Sequence, residues 1–375
     1  MAIKIHRIKT HSPEWHQFRT VGIPDVYDGG IGASEIGIIL GINPYRPTLM
    51  ELYHHKVGSE SREPVMNEYM FHGLMLEDYV ADLWQYWDGT PDGYMNNKVD
   101  GQKKRSMHRV NGYIVNDKYP WLFVSLDRMM NKGQVMLVGS GELLAQECPL
   151  ECKNISHYAS QLWEAGIPPY YIAQVNQQML VTDTKYCEIA ILKDGRKFDV
   201  IPLERSERIC AQIIEQSYAF WQTVLKARRS FKEKRLAEKR GDYTTARNHE
   251  GIIQQLEPMP DENEGYKDYM NERFVKEVDA LQGNEEDFSH VKSILALNSI
   301  EKELKKRKSK LVNLLTHKLV VNSAEKLDFG GSGYIRYAKR KNAKKNGLFN
   351  GVKPKPSDEW AKQQLNKFNL SGNYF

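Results

Sequence analysis

The stretch VSLDRMMNKGQVMLVGSGELLAQECPLECKNIS, from Val124 to Ser156, decides the fold because two apolar runs within it end in charged residues. The first run ends at Asp127, and the second ends in the triplet Glu151-Cys152-Lys153. Buried charge is costly unless a partner or a metal ion compensates it. We therefore interpret the runs as two strands whose charged ends meet at one edge of a sheet, around a metal ion.

The spacing of the triplet predicts which side chains lie together. Side chains alternate between the faces of a strand, so Glu151 and Lys153 share one face while Cys152 points to the other. Asp127 can bring a second carboxylate to this edge. Two carboxylates and the backbone carbonyl of Cys152 are hard oxygen ligands suited to Mg²⁺, with Mn²⁺ as an expected substitute. Lys153 would orient or deprotonate the attacking water, so the pattern predicts phosphodiester hydrolysis.

Composition sets broad limits on the protein class. The chain has 375 residues, of which 41% are hydrophobic, and this is enough for a large core. No apolar run of membrane-spanning length and no signal-peptide pattern occur, so we expect a protein of the bacterial or phage-infected cytoplasm. The four cysteines are too few and scattered for a disulfide framework, a zinc knuckle or an iron–sulfur cluster. The net charge of +5 is only mildly basic, so the distribution of charge is more informative.

Apolar periodicity predicts an α/β domain over residues 1–225. The predicted strands are 112–115, 122–126, 135–138, 149–153 and 187–192. Three helices are predicted: one that begins at Ser34, one over 67–87 and one over 171–181.

Residues 226–375 are predicted to form a basic extension. A charged helix over 226–247 is expected to break at Gly241-Asp242. A long helix follows, with one apolar stripe that needs an apolar partner, formed by Leu297, Ile300, Leu304, Leu311 and Leu314. A β-hairpin is predicted around residues 330–333. In the segment that follows, basic residues alternate with aromatic ones, and this pattern favours a surface that contacts DNA over charge that is only solvated. The predicted contacts are Lys339, Arg340, Lys341, Lys344 and Lys345.

Asp127 followed by Glu151-Cys152-Lys153 resembles the PD-(D/E)XK nuclease superfamily. Three further stretches, in the expected order, resemble the lambda exonuclease and YqaJ family within it: GIGASEIGIILGINPYRPTLMELYHHKVG, FHGLMLEDYV and YYIAQVNQQMLVTD. The resemblance implies a restriction-endonuclease-like core, a central mixed sheet flanked by helices. Two departures stand out. The family usually has Pro-Asp-Gly where this chain has Leu126-Asp127-Arg128, and the insertion before Glu151 is longer than the family's norm.

The resemblance also implies functional roles for several residues that, by their sequence pattern alone, could equally be ordinary structural residues. Glu77 would complete the metal shell, and Gln174 would hold the amine of Lys153 or a phosphate. Gln178 lies one helical turn from Gln174, either as a DNA contact or as part of a polar helix face. Ser34, which also fits an ordinary helix N-cap, would receive a 5′-phosphate together with Arg19.

The function implied by this resemblance is Mg²⁺-dependent 5′ to 3′ degradation of double-stranded DNA ends, which leaves a 3′ single strand. A ring-shaped homotrimer and a single-strand annealing protein as partner are implied as well. One alternative is a Cas4-like or RecB-like nuclease, which usually carries an iron–sulfur cluster. Another is a non-catalytic DNA-binding module that kept the nuclease fold, although such a module would not need an intact set of acidic residues and lysine.

Overall fold

The computed structural model describes residues 2–9, 12–60, 68–133, 146–156, 159, 163, 166–274, 282–328, 334–339 and 346–350. Its helices are α1 Pro13–Arg19, α2 Ile36–Ile39, α3 Leu49–Val57, α4 Glu68–Gln85, α5 Gly93–Val99, α6 Pro169–Val181, α7 Glu207–Lys239, α8 Tyr243–Gln255, α9 Gly265–Arg273 and α10 Glu285–Val321. Its strands are β1 Ile3–His6, β2 Ile31–Gly32, β3 Met107–His108, β4 Tyr113–Asn116, β5 Leu122–Val124, β6 Arg128–Met130, β7 Cys148–Ile155, β8 Tyr186–Lys193, β9 Lys197–Glu204, β10 Lys326–Asp328, β11 Tyr334–Lys339 and β12 Asn346–Asn350. The predicted strand at 135–138 lies outside the described residues.

Two mixed sheets form the centre of the first part of the chain. One has the order β1-β4-β5-β2 and the other has the order β3-β6-β7-β8-β9. Strands β7 and β8 are parallel, and α6 provides the crossover that a parallel pair requires. Strand β9 pairs antiparallel with β8 along its whole length. The predicted α/β class with a central mixed sheet is confirmed.

Helices cover both faces of the second sheet. On one face, Val80 and Trp84 of α4 pack with Leu150 and Cys152 of β7. On the opposite face, Val175 and Met179 of α6 pack in a cluster with Ile155, Ile189 and Ile191. Glu151 and Lys153 therefore belong to the α6 face, because side chains of one strand alternate between faces.

Local sequence signals place the helices that carry polar site residues. Helix α3 begins with a capping box, in which Thr48 accepts from the N–H of Glu51 and Glu51 accepts from the N–H of Thr48. It ends at Gly58, which has the left-handed φ of 82° that glycine adopts most readily. Helix α6 begins with Pro169 at its first position, where the missing N–H costs no hydrogen bond.

The chain divides into two compact units, Met1–Phe274 and Val275–Phe375, and not at the predicted boundary after residue 225. The reason is that α7 continues across 225 without a break and still buries Ala227 and Ala237. Most of the charge that marked the boundary lies on exposed positions of this helix, whereas Arg228 is partly buried. The predicted break at Gly241-Asp242 is confirmed, since α7 ends before it and α8 begins after it.

The second unit contains α10 and the antiparallel sheet β10-β11-β12. The predicted long helix and both hairpin strands are present, while the turn at 329–333 lies outside the described residues. Leu297, Leu311 and Leu314 of the stripe are 50%, 54% and 57% exposed. Lys339 is the last residue of β11, and four of the predicted DNA contacts lie outside the described residues: Arg340, Lys341, Lys344 and Lys345.

Across the described ranges, no helix is both long enough and apolar enough to cross a membrane.

Candidate active site

Asp127 lies between β5 and β6, where the chain passes from one sheet to the other. Its Oδ2 accepts a hydrogen bond of 2.8 Å from the backbone N–H of Cys152. This bond joins the residue that follows β5 and Leu126 to the middle of β7. Because the N–H and C=O of one strand residue point to the same side, the Cys152 carbonyl also lies on the side of Asp127.

Glu151 is 3% exposed, and both of its carboxylate oxygens are hydrogen-bonded. The Nε2 of Gln174 donates to Oε1 at 2.6 Å, and the Nε2 of Gln178 donates to Oε2 at 2.5 Å. The Nζ of Lys153 lies 2.5 Å from Oε1. Charge-assisted bonds of this kind are roughly twice as strong as neutral ones, so the carboxylate is firmly oriented.

The two glutamines both contact Glu151, and Gln174 bonds the same oxygen that pairs with Lys153. Gln174 was expected to hold the amine of Lys153 or a phosphate, and it donates to Glu151 instead. Gln178 was predicted as a DNA contact, but it is 1% exposed and also donates to Glu151. Their spacing of one helical turn indicated a shared face, although the sequence alone did not identify what that face contacts.

Lys153 forms an ion pair with Glu151, and its Nζ also lies 4.9 Å from the centre of the Tyr171 ring. Burial by itself lowers the pKa of Lys153, but the negative charges of Glu151 and Asp127 outweigh it and raise the pKa above its usual value. The amine is therefore protonated at neutral pH in the metal-free protein. Tyr171 was not predicted, and its stretch was marked only by the neighbouring glutamines.

Negative charge accumulates beside the middle of β7, because the strand continues to Ile155 and does not end at the charged triplet as predicted. Burial raises the pKa of Asp127 well above its usual value, and the charges of Glu151 and Glu77 add to this, while Lys153 acts in the opposite direction. A divalent cation would relieve this repulsion. The donor set of Asp127, Glu151 and the Cys152 carbonyl consists of hard oxygen atoms and fits Mg²⁺.

Glu77 does not join the two other carboxylates. Its Oε1 accepts a bond of 2.7 Å from the Nη1 of Arg128, and the same guanidinium also bonds Asp78 and the carbonyl of Asp127. Helix α4 packs on the Cys152 face of β7, so Glu77 approaches the edge from the side opposite to Glu151. Within the described part of the chain, no three histidine, cysteine or acidic side chains are placed to hold a metal ion.

Arg128 is thus a site residue without a predicted role. Its side chain is only 7% exposed. Burial lowers the pKa of Arg128, but the hydrogen bond to Glu77 and the surrounding negative charges outweigh this effect, so the pKa is raised overall. The sequence did mark this residue, because arginine follows Asp127 directly where the family usually has the glycine of Pro-Asp-Gly.

Arg19 and Ser34 are brought together on another part of the first unit. The Nη2 of Arg19 donates to the Oγ of Ser34 at 3.2 Å. Ser34 is exposed and lies inside the 3₁₀ turn Ala33–Glu35. It is therefore not the N-cap that the sequence suggested; Gly32 occupies that position, without a side-chain cap bond.

A buried lysine lies beneath this pair. Lys56 is completely buried, and its Nζ lies 2.7 Å from Glu35 and donates to the carbonyl of Arg19 at 2.5 Å. Burial lowers the pKa of Lys56 to about 8, although the charge of Glu35 opposes this. Arg228 of α7 donates to four backbone carbonyls around the same loop, those of Thr20, Val21, Asp28 and Lys56. These bonds hold the backbone at Arg19 in place, and no sequence pattern indicated them.

Part of the sequence is similar to a known protein family. Residues 14–185 match the family described as the YqaJ-like viral recombinase domain. No curated protein matches the sequence.

Solved structures of exonucleases show a distant likeness. The alkaline exonuclease LHK-Exo from Laribacter hongkongensis is 18% identical, with 61% of this chain and 99% of that chain covered and a TM-score of 0.38. A complex of LHK-Exo with dAMP gives 17% identity, the same coverage and a TM-score of 0.41. A phage-related exonuclease from Haemophilus somnus 129PT gives 10% identity, 51% and 91% coverage and a TM-score of 0.33.

The matched range contains all four residues of the predicted catalytic set, Glu77, Asp127, Glu151 and Lys153. Residues 14–185 of this chain, just under half of its length, are therefore identified as similar to the YqaJ-like viral recombinase domain.

Proposed function

We propose that the protein is a Mg²⁺-dependent DNA exonuclease that hydrolyses double-stranded ends from 5′ to 3′ and leaves a 3′ single strand. The observation that carries the proposal is the convergence of Asp127, Glu151 and Lys153 beside the middle of β7. Oxygen ligands for a metal ion and a lysine cation meet at this point, within a domain of the recombinase family. Mn²⁺ is expected to replace Mg²⁺, since it accepts the same oxygen ligands.

The residues divide the chemical work between them. Bound at Asp127, Glu151 and the Cys152 carbonyl, Mg²⁺ would polarise a phosphate oxygen and supply an activated water. Gln174 and Gln178 hold Glu151 in one orientation, so little reorganisation is needed during the reaction. The amine of Lys153, placed beside Glu151, would offset the negative charge that develops on the phosphate.

Arg19 and Ser34 are proposed to receive the 5′-phosphate of the strand that is degraded. Both are polar, one is cationic, and they already lie in hydrogen-bonding contact. An arginine is well suited to phosphate because its guanidinium presents several N–H donors in a fixed geometry. Recognition of this end would give the 5′ to 3′ direction.

The assembly is a further part of the proposal. By the resemblance, the protein would form a homotrimer around DNA and pass its product strand to a single-strand annealing protein. Glu77 would complete the metal shell, and this requires that it leave Arg128. The basic residues from Lys339 to Lys345 would hold DNA outside the catalytic site.

Degradation of a long duplex labelled at either end tests the reaction and its direction. With Mg²⁺, we expect loss of the 5′ label first, faster with a 5′-phosphate than with a 5′-hydroxyl. The Arg19→Ala variant should remove this preference, whereas Arg196→Ala, a change of an exposed arginine in the turn between β8 and β9, should keep it.

Each unfavourable result has a distinct meaning. Equal rates on both kinds of 5′ end would remove the basis for the roles of Arg19 and Ser34. Loss of the 3′ label first would reverse the proposed direction. DNA binding without any cleavage would favour the non-catalytic module over the nuclease.

A further inference from the structure

Three tyrosines form a continuous aromatic group next to Lys153. The ring centres of Tyr170 and Tyr171 are 4.4 Å apart, and Tyr171 lies under the Nζ of Lys153 at 4.9 Å. Tyr45 extends the group from the loop between α2 and α3, with its ring edge to face against Tyr170 at 6.0 Å. The group therefore begins at the catalytic lysine and ends at Tyr45.

Tyr170 also connects the lysine to the proposed phosphate site. It packs on Gly37, where a Cβ atom would lie only 2.8 Å from the Cβ of Tyr170. Gly37 belongs to α2, which directly follows the turn that carries Ser34. The aromatic group thus contacts both Lys153 and the helix that directly follows the Ser34 turn.

Tyr45 combines an exposed ring with a fixed backbone. Its side chain is 53% exposed. The carbonyl of Tyr45 nevertheless accepts from Asn43 at 2.8 Å and from Asn263 at 3.2 Å. The next residue, Arg46, is held at 2.6 Å by Glu51 and at 2.7 Å by Glu272. A ring that is held in place but left half in solvent contributes little to the core and is available to a ligand.

We propose that Tyr45 stacks on the nucleobase of the terminal nucleotide, with Tyr170 as the positioning residue that holds its ring beside Lys153. This inference rests on the proposed function. Stacking suits an enzyme that degrades every sequence, because all four bases have an aromatic face and stacking accepts each of them. Tyr45 lies far upstream of the glutamine helix in the chain, so only the fold places it here.

The test compares ends with and without the terminal base. Duplexes with a 5′-phosphate carry either a normal nucleotide or an abasic residue at the 5′ terminus. Binding is measured in Ca²⁺, which is used to prevent cleavage. We expect the normal end to bind about tenfold more tightly than the abasic end. The Tyr45→Ala variant should lose this difference by binding the normal end about tenfold more weakly.

Two further variants serve as controls. Tyr45→Phe keeps the ring and should keep the discrimination. Tyr243→Ala removes a tyrosine that is 74% exposed on α8, and it should bind both ends like the unmodified protein. A terminal 2-aminopurine should show fluorescence quenching that Tyr45→Ala relieves and Tyr243→Ala does not.

The inference is overturned if the unmodified protein binds normal and abasic ends equally, or if Tyr45→Ala keeps the full discrimination. Either result would leave end degradation itself intact. If the unmodified protein neither degrades duplex ends nor binds them, the proposed function fails, and the stacking role fails with it.

Discussion

Replacement of Arg128 by alanine tests whether Glu77 is a metal ligand. In the structure, Arg128 holds Glu77 by a charged hydrogen bond of 2.7 Å, so a metal ion that recruits Glu77 must break this bond. Hydrogen bonds to charged groups contribute about 1.5–3 kcal/mol. Because the Glu77 side chain is 22% exposed, we reduce this to about 1–2 kcal/mol for solvent screening. Arg128→Ala should therefore tighten Mg²⁺ binding by roughly five- to thirtyfold.

Calorimetric titration of the metal-free protein with Mg²⁺ and with Mn²⁺ measures this change without DNA or turnover. Loss of a positive charge near the site also tightens metal binding by itself, so a second background is needed. In Glu77→Gln, the carboxylate is no longer available, and Arg128→Ala should then have a much smaller effect. Equal tightening in both backgrounds would refute the reasoning, because Arg128 would then act only through its charge and Glu77 would not be a ligand.

Three further results are expected. Lys153→Ala should abolish cleavage while gel shifts in Ca²⁺ stay nearly unchanged; parallel loss of both would contradict its proposed role. The pKa of Asp127 is raised in the folded protein, so between its unfolded and folded pKa values the folded state keeps a proton that the unfolded chain releases. Without metal, the free energy of unfolding should therefore fall as pH rises from the unfolded pKa to the folded pKa. Melting curves in a chelator should show this fall, and Asp127→Asn should lack it. The last change neutralises the basic run Lys339, Arg340, Lys341, Lys344 and Lys345. The salt dependence of DNA binding should then become flatter by roughly 0.9 log unit for each phosphate contact that is lost. An unchanged slope would show that these side chains are only solvated and do not contact DNA.

The sequence by itself determined the class of the fold and the centre of the site. Strand periodicity and the order of the motifs were sufficient for this, because both are local properties of the chain. The placement of Glu151 and Lys153 on one strand face follows from alternation alone, and the structure agrees. The contact between Arg19 and Ser34 was expected only from the resemblance, and the structure brings the pair together.

Tertiary structure alone decided which cation pairs with Glu77 and which carboxylate pairs with Lys56. A carboxylate at the end of a helix or strand has several possible cations, and the choice depends on which faces pack together. Glu77 pairs with Arg128 because α4 packs on the face of β7 opposite to Glu151. Lys56 is a surface residue by type, yet packing buries it completely against Glu35. Such pairings join residues that are distant in the chain, and no local pattern records them.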